Sequence, residues 1–346
     1  MSMTEHASNL DVIRVVPYNA ETPEPFLAHE ITPSENAYVR TNFGVPVLDA
    51  THEIVVHGAV HHPTRIAVDT LRAMAQHTVT ATMECAGNDR LGMVPLPTGE
   101  PWRHGALSTL VWRGVPLADV LTAAGLATDA QWVLITAADA GEREDAEGDV
   151  RFARALPIAE AMRRDTVLAL EMNGAPLTPD HGAPVRLAVP GWYGMASVKW
   201  VTSIEVLREP FDGYFQRQRY VYETADDITP VSTMRVKSII ASPFEGATVA
   251  REVTVRGWAW SGEGTITRVE IAVDGGTAWH DATLGVATSA HAWTPWQHTV
   301  TFPRGGRFVL RVRATDSAGH TQPNDIVWNR LGYGNNAVRQ TIVLVE

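Results

Sequence analysis

The sequence predicts an α+β protein in two parts, a mixed α/β domain over residues 1–235 and an all-β sandwich of immunoglobulin type over residues 236–346. The chain is 346 residues long, which at roughly 100 to 200 residues per domain favours two hydrophobic cores. Strand-like and helix-like segments alternate as far as Leu207, which favours an α/β or α+β arrangement with mixed pairing. After Val236 only short alternating strands follow.

Three helices are predicted in the first part, each from its end signals. Residues 69–76 begin with Asp69 as an N-cap. Leu117–Ala124 stops before Gly125, a residue type common at helix ends. Residues 157–164 begin with Pro157, which favours a helix start. Short apolar runs predict the intervening strands, at 79–83, 132–137, 166–170 and 185–189.

Alternating apolar residues predict the strands of the second part, at 253–255, 269–273 and 308–312. The sequence Asp274-Gly275-Gly276 supplies a hairpin turn. The cysteine pair of antibody domains is absent, so only the architecture is similar. The polar, aromatic segment 209–230 has no clear period, and we expect a linker or a surface wrap. Six of the 11 tryptophans lie in the second part, where we expect most of them to be core residues: 258, 260, 279, 293, 296 and 328.

The charge balance excludes several classes of partner. There are 28 Lys and Arg residues against 39 Asp and Glu residues, so the formal net charge is -11 and nucleic-acid binding is not expected. Only Lys199 and Lys237 are lysines, so an anion site would use arginine.

No uninterrupted apolar run of about 18 residues predicts a membrane helix. No export signal is visible, so we expect a cytoplasmic protein, and a periplasmic one remains open if a signal was removed.

The single cysteine, Cys85, follows an apolar strand in the segment TMECAGNDR. It cannot form an internal disulfide or a multi-thiolate metal site within one chain. Gly87 and Asn88 permit unusual backbone angles, and Arg90 places positive charge near the sulfur. From these residues alone, Cys85 is a core residue, a reactive thiol or a single metal ligand.

The tetrapeptide CAGN at 85–88, with Arg90 two residues on, resembles the metal-loop motif of the sulfite oxidase family of molybdenum enzymes. The resemblance covers nearly the whole chain from about residue 35. Further segments resemble the family's motifs in the same order along the chain: Trp102 with GALST at 105–109, Trp112 with GVPL at 114–117, EMNG at 171–174, DHG at 180–182, PVR at 184–186, VPG at 189–191, VKW at 198–200, WAWSG at 258–262, VDGG at 273–276 and WN at 328–329.

The resemblance implies a molybdopterin-binding domain of sulfite oxidase type, followed by a dimerisation domain that makes the protein a homodimer. Molybdenum would be held by a pterin dithiolene and by the thiolate of Cys85, a soft ligand. The pterin and its phosphate would be bound by His181, Arg186 and Lys199, and by Asn42, Asn88 and Ser108. No haem, flavin or NAD motif is present, so electrons would pass to a separate acceptor such as a cytochrome c.

The implied reaction is the oxidation of sulfite, a small oxyanion, to sulfate by oxygen-atom transfer. The pocket residues implied are Arg40, Arg90 and Trp102, with Arg339 matched from its position near the end of the chain. Two departures stand out. The family's Arg-Asn-His is Arg40-Thr41-Asn42 here, and the pocket tyrosine aligns with Phe152, which has no hydroxyl.

Two alternatives remain open. The same cofactor and fold would serve another substrate, such as a different sulfur oxyanion, nitrate or a sulfoxide, and Phe152 motivates this option. A non-catalytic binding protein, with the sandwich mediating contacts, is the alternative outside enzymology.

Overall fold

The protein is described by a computed structural model that covers residues 9–49, 51–223, 227–274 and 278–346. The predicted α+β class is confirmed: strands dominate and the helices are few and short. The helices in the described part are α1 (Val68–Ala73), α2 (Leu117–Ala124), α3 (Ile158–Ala161) and α4 (Tyr214–Arg217), with 3-10 turns at Glu24–Ala28, Ser34–Asn36, Arg90–Gly92, Pro179–His181 and Gly194–Ala196.

Two five-stranded sheets and two small hairpins form the first domain. One large sheet has the order β10-β9-β6-β5 with β11 beside β9, and the other has the order β4-β3-β12-β7-β8. Their strands, with those of hairpins β1-β2 and β13-β14, are β1 (Asp11–Arg14), β2 (Asn19–Glu21), β3 (Glu53–Gly58), β4 (Thr64–Ala67), β5 (His77–Glu84), β6 (Leu107–Pro116), β7 (Trp132–Glu142), β8 (Asp149–Pro157), β9 (Val167–Met172), β10 (Ala175–Pro176), β11 (Arg186–Ala188), β12 (Val201–Leu207), β13 (Val221–Glu223) and β14 (Ile228–Pro230).

The pairing in the first domain is mixed, as expected. β3 and β12 run parallel, with Ser203 opposite Val55, whereas the other pairs of the two large sheets are antiparallel. The main core forms where helix α2 buries Leu117, Val120 and Leu121 among strand residues. Burying these side chains stabilises the layer by about 1.5–3 kcal/mol each.

Two predicted helices are shorter than expected. Helix α1 begins at Val68, and the residue before it, Ala67, makes no side-chain cap, so the prediction of Asp69 as N-cap is wrong. The chain turns extended at Met74 and enters β5. Helix α3 begins at Ile158, because Pro157 still belongs to β8. It ends at Ala161 rather than at residue 164, and a turn then leads to β9. Helix α2 matches its predicted bounds and ends before Gly125 at φ 69°.

The second domain is a β-sandwich of two antiparallel-dominated sheets. Their orders are β15-β17-β21-β20 and β16-β23-β22-β18-β19. Facing apolar residues such as Val255, Ile271 and Leu310 form the core between them. The strands are β15 (Lys237–Ser242), β16 (Thr248–Val249), β17 (Glu252–Trp260), β18 (Ile266–Val273), β19 (His280–Asp281), β20 (Thr283–Leu284), β21 (Thr294–Thr301), β22 (Gly306–Asp316) and β23 (Gln340–Val345).

The predicted tryptophan core is shared between the domains. Trp260 and Trp293 are buried in the first domain's core, whereas Trp296 is buried in the sandwich. Trp258 is half-buried and stacks on Trp293 with ring centroids 4.8 Å apart. Trp279 is also half-buried, and Trp328 is exposed.

Segment 209–230 is not a simple linker or surface wrap. It contains α4 and the β13-β14 hairpin, and it buries Phe215, Tyr220 and Val221 in the first domain's core. Of the predicted turn at 274–276, the residues from Gly275 onward lie outside the described part of the chain. Among the helices of the described ranges, none is long and apolar enough to cross a membrane.

Candidate active site

Cys85 lies in the turn that follows β5, and backbone hydrogen bonds fix the turn. The Cys85 amide donates to the Ala106 carbonyl at 2.9 Å, and the Asn88 amide donates to the Cys85 carbonyl at 2.9 Å. The Asn88 side chain accepts from the Ala106 amide at 3.1 Å and donates to Glu84 at 3.0 Å. Asn88 therefore holds the turn and does not line the cavity described below.

Burial and nearby charge act in opposite directions on the Cys85 thiol. The side chain is 7% exposed, and burial raises the pKa of the thiol above its ordinary value. The positive charges of Arg40 and Arg90 oppose that increase in pKa. Without a metal the thiol is protonated at neutral pH, whereas a metal ligand would have to be the thiolate.

Arg90 and Trp102 lie behind Cys85 rather than on the cavity wall. Arg90 is buried and donates to the carbonyls of Glu100 at 2.6 Å and Leu331 at 3.1 Å. A Cβ at Gly87 would lie 2.3 Å from Arg90, so glycine permits this close packing. The fully buried Trp102 ring packs in one cluster with Cys85.

A cavity opens beside Cys85. Of the twelve residues that the sequence assigns to the site, the cavity wall includes seven: Arg40, Asn42, Cys85, Phe152, His181, Arg186 and Lys199. The wall does not include Asn88, Arg90, Trp102, Ser108 or Arg339.

The buried Arg186 and the half-buried Lys199 form one part of the cavity wall. Arg186 donates only to neutral acceptors, at 3.0 Å to the Ser197 carbonyl and 3.1 Å to the His181 carbonyl among others, and its guanidinium lies over the Trp112 ring. Burial lowers the pKa of Arg186 to about 10. Burial and the Arg186 charge lower the pKa of Lys199 to about 7, although Asp139 opposes this. Both groups would be stabilised by an added anion.

Three buried polar atoms on this wall have no hydrogen-bond partner among the described residues: His181 Nε2, Trp112 Nε1 and Asp139 Oδ1. His181 Nδ1 and the Thr178 hydroxyl are 2.9 Å apart. Burial, together with the charges of Arg186 and Lys199, lowers the pKa of His181 to about 3, so its ring is neutral. Buried polar groups are normally paired, so these atoms indicate a polar ligand.

The residues present therefore fit a molybdopterin. Arg186 and Lys199 suit its phosphate, the unpartnered ring nitrogens and carboxylate oxygen suit its polar ring system, and Cys85 suits a soft metal. His181, Arg186 and Lys199 thus lie on one cavity wall, as the resemblance implies. Asp139 also lines this wall and was missed, because no motif marked it. Trp112 and Trp200 line the wall too, and although both belong to motifs that resemble the family's, neither was assigned to the site.

Arg40 and Asn42 line the same cavity. The Arg40 guanidinium donates to Asn42 Oδ1 at 2.7 Å, to Asn19 Oδ1 at 3.3 Å and to the Thr41 carbonyl, all of which are neutral oxygens. Although burial lowers its pKa, Tyr220 and Cys85 raise it, and the net pKa lies above the ordinary value. Arg40 therefore stays charged and is available to an anion.

Tyr220 provides the hydroxyl that Phe152 lacks. Phe152 lines the cavity and packs against the Tyr220 ring, with centroids 6.4 Å apart. Asn42 Nδ2 lies 3.4 Å from the Tyr220 hydroxyl, and the Tyr333 ring stacks on Tyr220 at 5.2 Å. Sequence reasoning missed Tyr220 because segment 209–230 shows no periodicity.

Arg154 holds the segment that carries Tyr220. Its buried guanidinium donates to the Val231 carbonyl at 3.0 Å and to the Phe215 carbonyl, and the Val231 amide donates to the Tyr220 carbonyl at 2.8 Å. Tyr220 itself has a φ of 49°, a left-handed conformation that tertiary contacts must maintain.

Ser108 and Arg339 take other positions. The Ser108 hydroxyl accepts from the Tyr38 amide at 3.1 Å, so it holds a wall residue and is not on the wall itself. Arg339 is not among the residues that line the cavity, and its role in the substrate pocket stays a prediction. Its charge adds to the larger effects of His104 on Glu24 and of Lys237 on Asp89, which lower the pKa values of these carboxyl groups.

Asp139→Asn should stabilise the cofactor-free protein. Burial raises the pKa of Asp139 from 3.8 to about 6, and Lys199 only partly opposes this. The ionised carboxylate therefore destabilises the folded state. This free-energy cost is fully present above pH 6 and decreases as the pH falls towards 4. We expect the substitution to raise the free energy of unfolding by about 1–3 kcal/mol at pH 8, as measured by urea unfolding. The gain should be smaller at pH 5. Asp149→Asn, at an exposed position of β8, is the control. An equal gain at both pH values would contradict this account.

Comparisons with known proteins define the class. The family described as "Oxidoreductase molybdopterin binding domain" matches residues 42–215, and "Mo-co oxidoreductase dimerisation domain" matches residues 229–345. Mitochondrial sulfite oxidase of Homo sapiens is 35% identical over 357 residues, covering 95% of this chain. NADH nitrate reductase 2 of Phaseolus vulgaris is 33% identical and covers 95% of this chain.

The solved structure of the sulfane dehydrogenase SoxCD from Paracoccus pantotrophus aligns with a TM-score of 0.81 at 28% identity, covering 96% of this chain and 88% of that one. The chain spans 65% of the length of the human relative and 42% of the bean relative. The fold and the cavity thus define a molybdopterin-binding oxidoreductase with a C-terminal dimerisation domain. Within that class, the chain belongs to the sulfite oxidase family: sulfite oxidase of Gallus gallus is 34% identical, and the match covers 91% of this chain and 74% of that protein.

Proposed function

We propose that this protein oxidises sulfite to sulfate, with Cys85 as the protein's ligand to the molybdenum of a bound molybdopterin. The observation that carries this proposal is one cavity shared by a buried thiol, Arg40 with its unpaired charge, and the cationic pair Arg186 and Lys199. The similarity to sulfite oxidase supports the choice of substrate. When bound, the molybdenum centre would accept two electrons as sulfite and water become sulfate and two protons.

The chain's own residues would bind and orient the oxyanion. Arg40 would neutralise it with a guanidinium that Asn19 and Asn42 already hold in place, so little reorganisation is needed. The Tyr220 hydroxyl would provide a further hydrogen bond near Arg40. Arg90 would act through the field it places on Cys85, because it does not line the cavity and its Nε and Nη1 donate to carbonyl oxygens.

The proposal is tested by turnover with several substrates and one preparation. Sulfite-dependent reduction of ferricyanide is compared with turnover of a sulfane, of nitrate with a reduced dye, and of a sulfoxide. We expect kcat/KM for sulfite to exceed the others by at least about tenfold. Turnover of another substrate with a higher kcat/KM would reject sulfite as the substrate.

Oxidation of sulfane sulfur is the second candidate, favoured by the structural match to SoxCD. The aromatic rings of Phe152, Phe215, Tyr220 and Tyr333 contact one another beside the cavity and would suit a less polar sulfur compound. The same comparison of substrates decides between the two.

Tyr220→Phe should reduce sulfite turnover more than any change at Phe152. Losing a hydrogen bond to a charged group costs about 1.5–3 kcal/mol, which corresponds to roughly 10- to 100-fold in kcat/KM. Phe152→Tyr is the matched variant and should leave kcat/KM nearly unchanged, because Tyr220 already supplies the hydroxyl. Steady-state kinetics at equal molybdenum content checks this. A wild-type kcat/KM in Tyr220→Phe would show that the hydroxyl of Tyr220 is not used.

We also propose a homodimer formed through the sandwich domain and a separate electron acceptor such as a cytochrome c. The match to a dimerisation domain supports the first, and the formal charge of -11 would suit a basic acceptor. Light scattering over a range of concentrations tests the dimer, and a concentration-independent monomer would contradict it. The domain boundary at residues 235 and 236 stays a prediction.

A further inference from the structure

A buried lysine lies beneath the Cys85 turn. Lys237 is the first residue of β15, and it is 3% exposed. Its ammonium donates to Glu84 Oε1 at 2.7 Å and to the Asn335 carbonyl at 3.0 Å, and it pairs with Asp89 Oδ2 at 2.7 Å. These three contacts use all three ammonium protons.

The two carboxylates bracket the metal-ligand turn. Glu84 immediately precedes Cys85, and Asp89 follows it by four residues in a left-handed conformation with φ 61°. One ammonium therefore joins the start of the turn to its end. Such a link fixes the separation of the two ends and with it the direction of the Cys85 side chain.

The remaining acceptors of this cluster are also held by the sandwich domain. Glu84 Oε2 accepts from Trp260 Nε1 at 3.1 Å, and the Asp89 carbonyl accepts from Asn335 Nδ2 at 2.9 Å. Lys237, Trp260 and Asn335 all lie in the sandwich domain or its C-terminal segment. The second domain thus contacts the turn on both sides of Cys85.

The residue type at position 237 is itself informative. The chain has 28 Lys and Arg residues, of which two are lysines: Lys199 is half-buried and lines the cavity, and Lys237 is buried beneath the Cys85 turn. An ammonium is a compact donor with three directions, whereas a guanidinium is a planar fork. A buried ion pair is costly and is best explained where it specifies one arrangement of the chain.

We propose that Lys237 is a positioning residue, which fixes the Cys85 turn so that the sandwich domain sets the geometry of the metal ligand. The inference rests on the proposed role of Cys85. It adds a function for the second domain beyond dimerisation. Groups that hold a metal ligand in place typically affect metal affinity or activity by about 10- to 100-fold when removed.

The test compares Lys237→Gln with a matched control, Glu270→Gln. Glu270 is 4% exposed and pairs with the partly exposed Arg313 and Arg268, so both variants remove the buried member of an ion-pair cluster in the same domain. For each purified full-length holoenzyme we would measure molybdenum and pterin content, the thermal midpoint and the thiolate-to-metal charge-transfer absorption.

We expect Lys237→Gln to retain molybdenum about 10- to 100-fold less tightly during dialysis against a chelator, and to shift the charge-transfer band. Glu270→Gln should lower the thermal midpoint without moving the band. Lys237→Arg should not restore the wild-type band, because a planar fork does not reach three separate acceptors. A Lys237→Gln protein with lower thermal stability and wild-type molybdenum retention and band would overturn the inference.

If Lys237→Gln does not fold, Asp89→Asn replaces it. The Asp89 side chain is 20% exposed, and this change leaves the Lys237 pair with Glu84 intact. Asp89→Asn should shift the charge-transfer band relative to the wild-type protein. An unchanged band would overturn the inference. Cys85→Ser separates the two claims. Wild-type protein without molybdenum contradicts the proposed function and this inference together, whereas a band that depends on Cys85 but not on Lys237 or Asp89 contradicts the inference alone.

Discussion

Cys85→Ser should abolish sulfite-dependent reduction of an acceptor, with a loss of at least about 100-fold in kcat. A serine hydroxyl is a hard, protonated oxygen at neutral pH, whereas the metal site requires a soft thiolate. The substitution preserves the size of a side chain that is 7% exposed, so the fold should be retained. Turnover and molybdenum content of the purified variant are the measurements.

The control for Cys85→Ser is its far-ultraviolet circular dichroism and thermal midpoint, which should stay close to wild type. A folded variant with low molybdenum content and low turnover supports Cys85 as the ligand. A variant that keeps full turnover would reject the proposed site, because the described residues include no second cysteine.

Arg40→Met should lower kcat/KM for sulfite by roughly 10- to 100-fold, because a hydrogen bond to a charged group contributes about 1.5–3 kcal/mol. Arg40 lines the cavity, and its acceptors within the protein are neutral oxygens. Methionine fills similar space without the positive charge. The effect should appear mainly in KM if Arg40 binds the oxyanion equally in the ground and transition states.

Arg208→Met is the control for Arg40→Met, because Arg208 is exposed and pairs with Asp129. It should leave kcat/KM unchanged. Arg40→Lys should recover part of the loss, since it keeps the charge but not the planar fork. Wild-type kinetics in Arg40→Met at equal molybdenum content would show that Arg40 does not bind the substrate.

The strands of both domains were predictable because their signal is local. Alternation at 269–273 and 308–312 reappears in β18 and β22, and the end signal at Gly125 reappears in α2. The helices at 69–76 and 157–164 were overestimated. The residues beyond the observed ends, 74–76 and 162–164, lie in the turns that lead into β5 and β9, and Pro157 belongs to β8.

The motif residues around Cys85 and at 181–199 could be found because the family's pattern preserves their order along the chain. Tyr220 could not, because its burial depends on Arg154 and Tyr333, which are distant in sequence. The Lys237 contact to Glu84 joins residues 153 positions apart, and no periodicity marks it. Arg339 was matched only from its position near the chain end, and it is not among the residues that line the cavity.

The central claim is that the cavity beside Cys85 holds a molybdopterin with its metal. The most direct test is molybdenum and pterin analysis of the purified full-length protein, produced in a host that makes the cofactor in excess. The account predicts molybdenum and pterin in equimolar amounts with the chain, and little of the metal in Cys85→Ser. Folded wild-type protein that carries neither would contradict it.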